Sequence, residues 1–193
     1  MAKKKYEFKP DRTGSGLLSK LYLTKKQRQA ALKWLLYGLV LLVLLVLQDV
    51  LLSRLDVFGA TTDLVSCAIL LIVLLQGAEN GGVFALISSA FFLFSGSAPG
   101  PYTIVFLTVY GVLAAIFRQA FLRKSFGSMT ICTAGSLLLY ELSVFAMVLF
   151  LGYTTGSRMG SFLMTWVLSL AAIPLLYPIL ASIEKIGGET WKE

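Results

Sequence analysis

Histidine is absent from the 193 residues. With it go the commonest general base, the commonest transition-metal ligand and the usual proton switch near neutrality. Cysteine is nearly absent as well. Cys67 and Cys132 both lie in apolar runs, without the paired spacing of a metal site or an extracellular disulfide framework, and read as small core residues. Charge is scarce, at 14% of the chain. Phosphate-loop and catalytic-serine signatures are missing. With no nucleophile and base to pair, the expectation is a non-enzyme with no cofactor and no bound metal, and a lipid-modifying transferase is only a distant third reading.

What the chain has in abundance is apolar side chains, 57% of residues, with a mean hydropathy of +0.80. That exceeds what a soluble core of this length needs, so the solvent must be a bilayer. The expected fold is all-α and polytopic, with six transmembrane helices in one bundle. They are placed at residues 32–52, 64–75, 81–94, 102–117, 129–151 and 162–180. The net charge of +7 comes from Lys and Arg crowded into the first 33 positions, ahead of an apolar segment. That placement points to anionic membrane lipids rather than nucleic acid. The first apolar run is longer than a typical signal core, so the first span is expected to be retained.

Residues 1–23 form a basic cytoplasmic or membrane-surface segment whose composition cannot bury enough surface to fold alone. A six-helix domain follows over residues 24–180, with a short cytoplasmic tail at 181–193. Thr24 and Gln27 have capping-box spacing and predict where the first helix starts. Trp34 and Tyr37 then suit the interfacial belt. Basic residues expected at the lipid surface are Lys3, Lys4, Lys5, Lys25, Lys26, Arg28 and Lys33. Six spans with both termini cytoplasmic leave 15 Lys and Arg inside and 2 outside, whereas five spans give 11 and 6. The positive-inside rule therefore selects six.

Glu141 is the sharpest polar feature. It lies deep in the fifth span, where a carboxylate must be neutral, paired or wet. Its helical neighbours Leu137, Leu138, Val144 and Phe145 are apolar, so a partner must come from another helix. Tyr110, Ser88, Ser89 and Ser169 fall at similar depth, and a Glu141–Tyr110 hydrogen bond is expected. A purely structural, helix-gluing Glu is an equal alternative to a role in partner binding. Gln48, Asp49, Asp56 and Asp63 form a candidate outer-loop site for a cation or a basic partner. Solvation and topology explain them more simply, and Asp63 also suits the cap of the second span. Glycines recur at four-residue spacing at 77 and 81, 96 and 100, and 152, 156 and 160. Most are expected to serve turns.

Leu47-Gln48-Asp49 closing the first span, Gly59 and Asp63-Leu64-Val65 opening the second, Gly77 to Gly82, and Gly96-Ser97-Ala98-Pro99-Gly100 resemble the rod shape-determining MreD family. The resemblance covers most of the membrane region. The family's common proline before the aspartate is Thr62 here, and Phe91 and Phe92 stand where an acidic residue is frequent. The resemblance implies a non-enzymatic scaffold of the bacterial cell-elongation and peptidoglycan-synthesis machinery, multi-pass in the cytoplasmic membrane. Its partners would be MreC, MreB, and RodA with its transpeptidase. It also implies a fold similar to the substrate-binding subunits of energy-coupling-factor vitamin transporters, which supplies the rival function. Those subunits often carry an Ala-x-x-x-Ala docking pattern in the first span, where Leu39 to Leu47 here is nearly all Leu and Val.

Overall fold

The computed structural model describes residues 25–50, 60–123 and 125–186. Expectations for Lys3, Lys4, Lys5, Thr24 and Asp56, and for the tail from Gly187 onward, lie outside the described residues. Among the described residues seven α-helices follow in order: α1 (Lys25–Val50), α2 (Leu64–Gln76), α3 (Ala78–Phe94), α4 (Tyr102–Phe121), α5 (Phe126–Phe150), α6 (Met159–Leu170) and α7 (Ile173–Glu184), with a 3-10 turn at Gly156–Arg158 before α6. Three of these helices, α1, α4 and α5, are long and apolar enough to cross a membrane, and α6 with α7 makes a fourth candidate if the pair counts as one span. The helices α2 and α3 are shorter apolar elements.

The architecture follows from where the apolar residues sit. A helix that is apolar all round has no face to give to water and belongs inside a bundle. In α2, LVSCAILLIVLLQ, every residue from Val65 to Leu75 is buried. It packs against α1, α3, α4, α5, α6 and α7, so the other helices surround it. Those outer helices turn apolar side chains outward instead. Leu35, Leu39, Leu42 and Val46 of α1 and Val105, Val109, Leu113 and Phe117 of α4 are all exposed. Water would penalise apolar surface of that extent heavily, whereas lipid does not. The chain is an all-helical membrane protein.

The α2–α3 hairpin is tighter than the sequence suggests. The expected turn from Gln76 to Asn80 contracts to Gly77, at φ +92°, and α3 begins at Ala78. Glu79 and Asn80 therefore belong to the first turn of α3, where the Glu79 carboxylate suits the positive end of the helix dipole. Gly81 then lets the two backbones meet, since a Cβ built there would lie 2.7 Å from the Val73 carbonyl oxygen. Gly81 therefore packs rather than turns, while Gly77, Gly96 and Gly152 hold positive φ.

The sixth span, expected as one run over residues 162–180, is broken. It folds as α6 and α7, bent by 48° at Ala171 and Ala172. Pro174 in the first turn of α7 explains the break, because its ring cannot continue the ladder of α6 and is well placed at a helix start. Both cysteines are buried and free, as their positions in apolar runs imply.

Candidate functional site

Thirteen residues of helix span about 19 Å, well short of a hydrocarbon layer of roughly 30 Å. With α5 crossing the membrane, one end of α2 must stop inside it. That end is Leu64: the preceding Asp63 lines the same cavity as Tyr140 and Glu141, and Glu141 lies about 22 Å along α5 from Phe126.

A helix start within a bilayer poses a local problem. Its first amides have no intrahelical acceptor, and hydrocarbon offers no water to replace one. Three side chains from three elements solve it. The Asp63 carboxylate accepts from the Ser66 amide at 3.0 Å, as an N-cap does. Gln48 near the end of α1 places its Oε1 2.9 Å from the Val65 amide, which donates to it. The Asp63 amide donates to the Ser169 hydroxyl of α6 at 2.8 Å. Gln48 and Asp63, expected at an outer loop, thus act together as the head of the central helix. Ser169, placed near Glu141 only by depth, completes that set.

Beside this cap lies a cavity of about 250 Å³ into which Asp63 and Glu141 both open. Phe92 of α3, Tyr140 of α5 and Phe162 of α6 supply aromatic walls, and Gln48 supplies an amide edge. Phe145 and Phe162 meet edge-on with centroids 5.0 Å apart and join α5 to α6 at this level. Glu141 is 6% exposed and has neither a hydrogen bond nor an ion pair with any described residue. Deeper in, the Tyr140 hydroxyl lies beside Ser66 and Thr103. All three residues are buried. A second cavity of about 390 Å³ shares Gln48, Thr61 and Ser97 with the first and adds Asp49, Thr62, Ser95 and Gly96. Asp49 accepts a hydrogen bond from the Ser97 hydroxyl there, tying the end of α1 to the loop before α4.

The expected Glu141–Tyr110 hydrogen bond is not formed. The Tyr110 hydroxyl pairs with Ser143, two residues beyond Glu141. Two residues correspond to about 200° around a helix, so a side chain that reaches Ser143 from α4 faces away from Glu141. Ser88 and Ser89 are buried on α3, Ser89 donates to the carbonyl of Leu86 on its own helix, and neither lines the cavity. At the other end of α1, Lys25 and Lys26 occupy the first turn, Arg28 is exposed and Lys33 half-buried. Arg118, in the last turn of α4, is 7% exposed with one guanidinium nitrogen 3.9 Å from the Met129 sulfur.

Sequence reasoning missed Tyr140, Ser66 and Thr103. The available signal was their polarity within otherwise apolar runs, and Tyr140 directly precedes the one carboxylate of α5. No family model, curated protein or solved structure matches the chain. What the fold and the cavity define is a class: an all-helical membrane protein whose central helix starts inside the bundle beside two carboxylates.

Proposed function

We propose that the chain is a non-enzymatic scaffold of the bacterial cell-elongation machinery, akin to MreD. It crosses the cytoplasmic membrane six times with both termini inside and binds partner proteins through its transmembrane helices. The observation that carries this reading is the way α1 is used. Tyr37, Leu41 and Leu44 form its one buried strip, and the rest of the apolar helix faces outward. Gly38 lies on the outward side with open space around it. Small residues on such a surface allow a second transmembrane helix to approach closely. Counting α2, α3 and the bent α6–α7 pair as crossings gives six, the number that keeps most Lys and Arg on one side. The partners this reading entails are MreC, MreB, and RodA with its transpeptidase, with anionic lipid against the basic N-terminal segment.

The internal cavity favours a second reading, a substrate-binding subunit of an energy-coupling-factor type vitamin transporter. The size of one cavity and the lining of the other weigh against it. Drug-sized ligands occupy pockets of about 300–1,000 Å³ with mostly apolar walls. The cavity with aromatic walls holds about 250 Å³. The larger one is lined, among the described residues, by Gln, Asp, Thr, Ser and Gly.

The test is a mild-detergent pull-down of the tagged protein from its native membrane, with mass spectrometry of the co-purifying proteins and of extracted small molecules. Recovery of MreC and peptidoglycan synthases is the expected result. A stoichiometric vitamin together with transporter ATPases would overturn the scaffold in favour of uptake.

A further inference from the structure

Glu141 is a buried carboxylate that neither the capping of α2 nor the packing of the bundle uses. A residue of that kind is expensive in a membrane and persists where something pairs with it. No basic group among the described residues pairs with Glu141. Arg118 sits towards the far end of α4, beside Met129 in the first turn of α5, about 18 Å along that helix from Glu141. Asp63 lines the same cavity and accepts from the Ser66 amide. Among the described residues, two acids and no base line this space.

The walls narrow the chemistry of what fits there. Among the described residues no three His, Cys, Asp or Glu come together as metal ligands would, and the Gln48 carbonyl already accepts from Val65. A bare metal ion would find oxygens on Asp63, Glu141 and the hydroxyls of Thr61, Ser97, Ser161 and Thr165. The aromatic rings of Phe92, Tyr140 and Phe162 would be wasted on it. Aromatic faces beside carboxylates suit an organic cation, whose charge is spread over a weakly hydrated group that rings can cover. A volume of about 250 Å³ admits an alkylammonium or guanidinium group but not a large molecule around it.

We infer that the cavity between Asp63 and Glu141 binds a small organic cation, an ammonium or guanidinium group, with Glu141 as its counter-ion. The group belongs either to a free amine or to a basic side chain reaching in from a partner. The inference stands apart from the scaffold reading, since binding of the cation is measured on the isolated chain.

The experiment is calorimetric titration of the full chain in lipid nanodiscs with methylammonium and ethylguanidinium, against sodium and magnesium chloride at equal ionic strength. The expected result is saturable binding of the organic cations that Glu141→Gln weakens at least ten-fold. Phe162→Leu should weaken it several-fold, and Glu79→Gln, an exposed carboxylate at the α2–α3 turn, should leave it unchanged. Retention of the monodisperse gel-filtration peak by Glu141→Gln separates loss of binding from loss of fold, and Glu141→Asp serves if that variant aggregates. Equal binding by wild type and the Glu141 variant, or displacement of the organic cation by millimolar sodium, would overturn the assignment. Two further arms separate the sources. An amine retained in native mass spectra of freshly extracted protein marks a free molecule, and carbodiimide coupling of Glu141 to a lysine of a co-purified protein marks a side chain.

Discussion

Replacing Gln48 by Leu tests whether the head of α2 is held as described. Leucine keeps the volume and the helix propensity of α1 but removes the oxygen to which the Val65 amide donates. Interhelical hydrogen bonds in membranes average about 0.6 kcal/mol, because alternative partners usually exist. That average does not apply here. Val65 is fully buried away from water, and the Asp63 carboxylate, which also faces its amide, is already committed to Ser66. A buried donor left unsatisfied costs about 1–3 kcal/mol, and a loss of about 2 kcal/mol is expected, roughly thirty-fold in the folding equilibrium at 1.4 kcal/mol per factor of ten. Reversible unfolding in mixed micelles, followed by far-ultraviolet circular dichroism, reads this directly. Asp63→Ala should cost about 1 kcal/mol in the same assay, while Asp63→Asn, which retains a capping oxygen, should cost far less. A Gln48→Leu protein within about 0.5 kcal/mol of wild type would mean that the amide is satisfied in another way, and the account of a helix beginning inside the membrane would fall.

Gly81→Ala should destabilise the α2–α3 hairpin by about 1–3 kcal/mol, because its Cβ would press on the backbone oxygen of Val73, which cannot swing away as a side chain can. Gly135→Ala, with open space around it, is the control and should be neutral or slightly stabilising in thermal unfolding. A double-mutant cycle with Tyr110→Phe and Ser143→Ala should show a coupling of about 0.5–1.5 kcal/mol, and the same cycle with Tyr110→Phe and Glu141→Gln should be additive. Removing Lys3, Lys4 and Lys5 together should weaken binding of the N-terminal peptide to anionic vesicles by about 1 kcal/mol per charge. Vesicle co-sedimentation that does not change with the charges would refute a lipid-facing role for them.

How much of this was legible in the sequence depends on whether one residue or several carry the signal. The second span was placed at residues 64–75 and α2 runs Leu64–Gln76, because an uninterrupted apolar run ending at Gln76-Gly77 needs no tertiary information. The capping role of Asp63 was legible for the same reason, as the acceptor and its target are three residues apart. The 48° break before Pro174 was missed although the proline was in view. Hydropathy sums run across Ala171 and Ala172 without registering the loss of one backbone donor. The Glu141–Tyr110 pairing failed on angle rather than depth. Counting residues along a span fixes how deep a side chain lies but not which way it points, and Ser143 stands at nearly the same depth on another side of α5.

The head of α2 shows what sequence reading could not assemble. Gln48, Asp63 and Ser169 lie in three different helices or caps, and nothing in their local sequence connects them. Depth alone groups them, together with the buried hydroxyls of Ser66, Thr103 and Tyr140. A short central helix forces this grouping, because its first amides must be satisfied by whatever polar atoms the surrounding helices bring to that level. Polar residues at that level are then needed for the fold. Glu141 is different, since no amide uses it and no described residue pairs with it. Gln48→Leu should therefore lower stability and leave the Glu141 side of the cavity chemically intact. Glu141→Gln should do the reverse, with little loss of stability and a changed cavity. If both variants lowered stability by the same amount, Glu141 would belong to the capping network and its separate role would be lost.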